Sequence, residues 1–453
     1  MMKGYLTLYL SLTLTALLGF ILLLIGGVLR NQNRLQFECA ADISMHSVLA
    51  EYNRELLMQY DLFFVDASYG NNWPGQQAVE DHLKWYLTQN LEEPETITDL
   101  SINSYTAASD GQGNVVKKQI VYYARANDFV DQDAHIRSYG KKVEELETRQ
   151  TAEEWDSLQE TIAGMERPWR INKMGIKEFI EPDHPADVVY GRRGESLIAY
   201  TDKIGTGYVD TSGLLSHRII HGGANPDSYT LDEEEEYLVQ SYLFTKYGYL
   251  GQEKAGSVLE YEMEYLIAGR ESDSENLRQV INRLFQCRFA DNAEFSLSDA
   301  GLRGKAEELV HTLEIVQYDE KFMEPITQSV LYACAYLESV GDICILLQGG
   351  RIPLQKGSGS FRTTIQDVSS NTVSINQSGE GLSYQKYLAL FLQNMDRQMA
   401  ALHMMDVMEM NVRNTSGNDY FQIDWCIQNF SAQLSILDRF GSNYRINRKY
   451  GYY

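Results

Sequence analysis

The sequence predicts an α+β, mainly helical protein. An N-terminal transmembrane helix continues into a helical exported domain with a small antiparallel sheet that includes the C-terminal strands. Three observations predict this. Residues 4–29, GYLTLYLSLTLTALLGFILLLIGGVL, carry no charge from end to end. Most later segments repeat their apolar residues at spacings of three and four, the period of a helix with one buried face. Two stretches, TITDLSINSYTA and the final DYFQIDWCIQNFSAQLSILDRF, alternate instead.

The uncharged stretch forms about 39 Å of helix, enough to cross a hydrocarbon core of about 30 Å with some tilt. The rival is a cleaved signal peptide, which needs a short apolar core and a small-x-small site. Here the run is longer, and Arg30-Asn31-Gln32-Asn33-Arg34 follows it, so a retained anchor is expected. Thr7, Ser11, Thr15 and Gly19 recur at spacing four and form a candidate helix-packing face. The plainer account is that the hydroxyls bond their own i−4 carbonyls. Lys3 precedes the span and Arg30 and Arg34 follow it, a balance that assigns no side. With 63 Asp plus Glu against 39 Lys plus Arg, the chain disfavours nucleic acid and anionic membrane surfaces as partners. The expectation is a single-pass protein of the cell membrane with its large C-terminal domain outside.

Four regions follow from composition: an anchor over 1–34, a helical and strand region over 35–164, a Pro/Gly-rich loop segment over 165–230, and a helical region over 231–453. The last is expected to pack with 35–164 as one domain. Residues 35–60 read as a helix leaving the membrane almost continuously with the anchor. Leu62 to Val65 form a short extended segment before a turn at Trp73-Pro74-Gly75. A helix follows over about 76–90, then the alternating strand closing on Asp110-Gly111, then helices through about 164 with Gly140 as an interruption. Residues 231–347 hold several helices. One opens on the acidic turn at 232–236, and another on a Ser272-to-Glu275 capping box. In ITQSVLYACAYLESVGDICILLQGG, Glu338 and Asp342 argue against a second span. Residues 368–381 look solvent-exposed. One long helix is expected from Ser383 to about Asn414, with Tyr387, Leu388, Phe391, Leu392, Met395 and Met399 on its buried side. In the final stretch Phe421, Ile423, Trp425 and Ile427 share one register, and Phe430, Leu434 and Ile436 continue it with a slip.

Most candidate chemistry fails on spacing. His217 and His221 stand four apart, but Arg218 occupies the place where a metalloprotease helix carries glutamate. Gly205-Thr206-Gly207 lacks the third glycine of a dinucleotide loop, and Lys356 precedes its glycines where a phosphate loop needs it after them. The acidic run at 232–236 lacks the alternating oxygens and central glycine of a calcium loop. Cys39, Cys287, Cys334, Cys344 and Cys426 have no zinc spacing, and a straight helix sets Cys334 and Cys344 about 15 Å apart, too far to pair. No catalytic residue, metal ligand or cofactor site is expected. The abundance of tyrosine, 30 residues, suits contact surfaces for protein partners and ordinary cores alike.

The opening from MKGYLTLYLSL to FFVDASYG, with the later pieces EYEMEYLIAGRESDSENLRQVINRLFQCR, SYQKYLALFL and FQIDWC, resembles a family of uncharacterised single-pass proteins of clostridial Gram-positive bacteria. Their genes accompany those of the tight-adherence (Tad) type pilus and secretion system, and the family resembles enlarged relatives of the minor-pilin-like proteins TadE and TadG. The resemblance implies a non-catalytic structural or assembly component, whose partners are other envelope pilus or secretion proteins met through the anchor and the outer domain. One position departs from processed pilins, which carry glutamate five residues after the glycine at the cut. The fifth residue after Gly4 is Tyr9. The competing expectation is a surface hydrolase or ligand-binding module whose site is assembled from distant residues.

Overall fold

The computed structural model describes residues 2–91, 95–129, 136–201, 204–375, 379–438 and 441–452. The architecture is mainly helical with small antiparallel sheets, as the sequence predicts. The chain forms two compact units, each discontinuous in sequence. The first comprises Met1–Phe129, His217–Val239 and Met405–Tyr453, the second Val130–Ser216 and Gln240–Met404. These borders differ from those expected at 164 and 230: the loop-rich segment is divided between the units, and so is the C-terminal region.

In the first unit the anchor and the helix after it are one element, Met2–Leu49. Nothing in residues 30–36 breaks it, because that stretch holds neither glycine nor proline. Its first half is exposed. Beyond residue 36, Phe37, Ala41, Met45 and Val48 recur on one stripe and are fully buried. They pack with Val79, Leu83 and Leu87 of the helix Gln76–Asn90, and with Ile102, Phe430, Ala432, Leu434, Ile436 and Ile446 of the sheet. The expected helix to residue 60 stops early. Asn53 caps a separate helix, Arg54–Tyr60, its side chain accepting the Leu56 N–H at 3.1 Å while its own N–H donates to the Phe64 carbonyl at 2.8 Å. Local capping therefore overrides a favourable helical composition.

The sheet is built on the strand Cys426–Leu437. Thr96–Ala107 pairs along one edge, and Asn443–Gly451 and the two-residue strand Val65–Asp66 pair along the other, all antiparallel. The slip read from the sequence is a β-bulge. Ile427 pairs with Ala107 and Asn429 with Thr106, so Gln428 has no residue opposite. One extra residue switches the inward positions from Ile427 to Phe430, Ala432, Leu434 and Ile436.

The second unit centres on two helices, Asp273–Ser298 and Met323–Leu347. Met323–Leu347 is apolar enough to pass as a span, yet it is almost wholly buried in the fold. Ser272 accepts the Glu275 N–H at 3.3 Å, one arm of the expected capping box. Two readings change here. The long C-terminal helix is two helices, Tyr384–Gln393 and Arg397–Arg413, separated where Asn394 donates to the Gly140 carbonyl at 3.0 Å and Asp396 accepts the Met399 N–H at 2.9 Å. Met399 is accordingly exposed rather than core. The stretch over 368–381, expected to be solvent-exposed, begins inside the helix Ile365–Ser370, which is started by a reciprocal capping box between Thr364 and Asp367 and buries Val368. Residues 376–378 of that stretch lie outside the described residues.

Candidate functional site

The feature that organises the first unit is a ladder between the two ends of the chain. Tyr444 OH donates to the Arg30 carbonyl at 3.2 Å. Arg448 reaches Glu38 at 3.3 Å and Asp42 at 3.1 Å. The Tyr450 ring lies 4.4 Å from that of His46, and Tyr452 OH donates to the Leu49 carbonyl. Residues 444, 448 and 450 share one face of the strand Asn443–Gly451, because side chains alternate, and Tyr452 follows directly after it. Eight residues of strand advance about 26 Å at ~3.3 Å each. The nineteen helical residues from Arg30 to Leu49 advance about 28 Å at ~1.5 Å each. The two elements therefore run side by side in matching lengths, and the strand splints the helix where its apolar half ends.

Thr7, Ser11, Thr15 and Gly19 lie on the exposed half. The Thr15 hydroxyl donates to the Ser11 carbonyl at 2.8 Å, the local bond that lets a hydroxyl sit in lipid. Gly19 has open space around its Cα, room for another helix.

Two buried charge centres escaped the sequence reading. In the first unit Arg218 lies between Glu409, at 2.5 and 2.8 Å, and Asp424 at 2.5 Å, and Arg413 shares the Glu409 Oε1 with it at 2.6 Å. Burial disfavours the Arg218 charge, but the two carboxylates outweigh it and hold the guanidinium protonated. Burial also pushes Glu409 up, against Arg218 and Arg413. With guanidiniums at hydrogen-bond distance on both its oxygens, the geometry is that of an ion pair. This explains the HRIIHGG stretch. Arg218 is the plug of a charged socket, His221 N–H donates to Asp424 at 2.9 Å, and Gly223 N–H donates to Asp110 at 2.9 Å. A Cβ at Gly223 would collide with the Tyr105 carbonyl. The His221 ring packs on Trp425, 4.7 Å between centroids.

In the second unit Glu338 and Asp342, one turn apart on Met323–Leu347, gather Arg288, Lys356 and Arg362. Burial raises Asp342, but these three cations together hold it below the ordinary carboxylate range. Glu338 also accepts the backbone N–H groups of Arg362 and Thr363 at 3.1 and 2.9 Å. The centre pins the loop carrying Gly357 and Gly359 to the helices, and the Lys356 ammonium, 2.6 Å from Glu338 and 2.8 Å from Asp342, is engaged there rather than facing a phosphate. The sequence signal was available: two acids at spacing four inside an apolar helix require cations.

The remaining motifs also have structural occupations. Gly207 N–H donates to Asp273 at 2.8 Å, and both Gly205 and Gly207 lie where a Cβ would strike that side chain. The acidic run starts the helix Glu233–Lys246. Asp232 and Glu235 exchange bonds across its first turn, and Glu235 and Glu236 pair with Lys118 at 2.7 Å and Lys117 at 3.1 Å. All five cysteines are free; Cys39 is exposed, and burial pushes the Cys344 thiol up to about 11. Among the described residues no group of three or more His, Cys, Asp or Glu is placed to hold a metal ion. One carboxylate stands apart. Glu264 is fully buried, with one oxygen accepting Leu250 N–H at 3.0 Å and Tyr384 OH at 2.8 Å and the other without a hydrogen-bond partner, and burial pushes it up to about 7.

Compared with known proteins, no curated sequence and no solved structure matches the chain. Residues 181–437 match the family model DUF5702, described as a family of unknown function. That match covers more than half of the chain, including the Arg288–Asp342 centre and the whole strand Cys426–Leu437, and the protein belongs to the DUF5702 family.

Proposed function

We propose that this protein is a membrane-anchored, non-catalytic structural or assembly component of an envelope pilus or secretion apparatus of the Tad type, with its large domain outside the cell membrane. The observation that carries this reading is the stalk. One helix is bare and apolar over its first half and splinted to an antiparallel sheet over its second, a plan suited to holding a folded domain rigidly at a membrane surface. The sequence resemblance to TadE- and TadG-like proteins supports the same reading. Tyr9, in place of the pilin glutamate, favours an accessory position at the base or tip over packing in a filament core. The carboxylates of both buried charge centres are committed to guanidinium, ammonium and backbone partners, which favours a structural use of these groups over hydrolysis.

Partner capture tests the proposal. Cross-linking in native membranes followed by purification of the tagged full chain should recover other proteins of one envelope apparatus. Recovery of the chain alone, with hydrolytic activity in the purified protein, would overturn it.

A further inference from the structure

The hairpin formed by Trp169–Ile171 and Lys177–Phe179 in the second unit carries its apolar groups on the outside. Trp169 pairs with Phe179, Arg170 with Glu178 and Ile171 with Lys177, so alternate pairs face opposite sides. The charged face is tied down: Arg170 bonds Glu178 at 3.2 Å and also reaches Glu314 on the neighbouring short helix. The opposite face, with Trp169, Ile171 and Phe179, is 50–67% exposed. The tip adds Met174 at 84% and Ile176 at 59%. A hairpin on a water-facing surface normally shows the reverse pattern, polar outside and apolar against the body.

The turn is built rather than loose. Asn172 Oδ1 accepts the N–H groups of Met174 and Ile176, both at 3.0 Å, Gly175 takes a positive φ of 77°, and Ile180 N–H closes the base on the Pro168 carbonyl at 2.9 Å. Apolar character is also graded along its length. Met174, Ile171 and Ile176 occupy the tip, together with Asn172 and the exposed Lys173. The aromatic pair lies behind them, with the Lys177 ammonium 4.4 Å from the Trp169 ring centroid and 5.0 Å from that of Phe179. Behind these, Arg167 pairs with Glu181 at 2.5 Å.

We propose that this hairpin is a second membrane contact, inserting its tip into the interfacial layer of a lipid bilayer. An apolar tip backed by Trp, Phe and Lys matches that layer, where amphipathic rings sit at headgroup depth and a lysine directs its charge to the phosphates. The ammonium between the two rings selects lipid over a dry protein interface, which would have to supply a carboxylate there. In an acidic chain the segment 166–181 is locally basic, four Lys or Arg against three Glu. The same chain also carries a helix long and apolar enough to span a bilayer. Insertion here is driven by apolar area, so it requires no strongly anionic surface.

The test places a polarity-sensitive fluorophore on Met174→Cys in a Cys39→Ser background, in the full chain reconstituted into phosphatidylcholine vesicles with or without phosphatidylglycerol. Blue-shifted emission, quenching by lipid-borne nitroxide and protection from aqueous iodide are expected in both vesicle types. All three signatures should disappear in Trp169→Ser/Ile171→Ser/Ile176→Ser while the protein stays in the vesicle fraction. Iodide access in the labelled hairpin that keeps Trp169, Ile171 and Ile176 would overturn the proposal. So would protection from iodide without nitroxide quenching, which would mean a protein surface covers the hairpin. Because both readouts are made on the labelled hairpin that keeps Trp169, Ile171 and Ile176, they stand even if the triple variant misfolds.

Discussion

Arg448 and Glu38 stand 410 positions apart in sequence and meet at 3.3 Å, joining the last strand to the helix that leaves the apolar span. The same guanidinium holds Asp42 at 3.1 Å, one turn further on. The bond is one rung of the ladder from Arg30 to Leu49, and it makes the emerging helix part of the folded unit rather than a tether.

Reversing that rung should loosen the splint without unfolding the unit. Arg448→Glu places a third acid beside Glu38 and Asp42. These side chains are about one-third exposed, so the loss is modest, about 1 kcal/mol. Hydrogen exchange should quicken over Asn443–Gly451 and residues 36–49, and Glu38→Arg in the same chain should restore protection. Unchanged exchange in the single variant would show that the apolar contacts alone hold the strand.

Arg218 should matter more. Replacement by Met leaves Glu409 and Asp424 buried beside one remaining guanidinium, and removing one partner of a buried pair costs about 3–5 kcal/mol. Urea unfolding of the first unit should shift by that amount. A loss under 1 kcal/mol would mean that water or rearrangement satisfies the acids.

Glu264 gives the second unit a pH dependence of defined sign. Its folded value, about 7, lies above the ordinary 4.5 of a free glutamate. Between these values the folded state keeps a proton that the unfolded chain releases, so this group makes stability fall as pH rises from about 4.5 to 7. At about 1.4 kcal/mol per tenfold change in proton affinity, the full effect is about 3 kcal/mol. Glu264→Gln should be more stable than the parent at pH 8 and flatten the melting profile across that window. A parallel profile in the variant would contradict the assignment.

In the anchor, changing Thr7, Ser11, Thr15 and Gly19 together to leucine preserves the span and fills the open space at Gly19. Interhelical hydrogen bonds in membranes average about 0.6 kcal/mol, so the expected result is unchanged insertion with reduced cross-linking to partner proteins. The Thr15-to-Ser11 bond marks the competing outcome: if cross-linking persists, the hydroxyls serve only their own helix.

Much of the local structure was legible because it depends on local periodicity. Val79, Leu83 and Leu87 fixed one helix face, and the change of register after Ile427 announced the bulge at Gln428. Breaks in long helices were not legible, because Asn53 starts a new helix and Asn394 ends one through partners that helix-forming composition conceals. The Arg218 centre was hidden for a different reason. Arg218 meets Glu409 and Asp424 across 191 and 206 residues of chain, and no spacing rule reaches that far. The Trp169 hairpin was lost among the prolines and glycines of a segment read only as loop.

Limited proteolysis of intact, wall-stripped cells tests most directly the claim that one span carries a large domain outside. The account predicts digestion of the domain from outside while a fragment containing residues 4–29 stays in the membrane. Full protection until lysis would place the domain on the other side and remove the pilus reading, and a soluble chain beginning near Arg30 would remove the anchor itself.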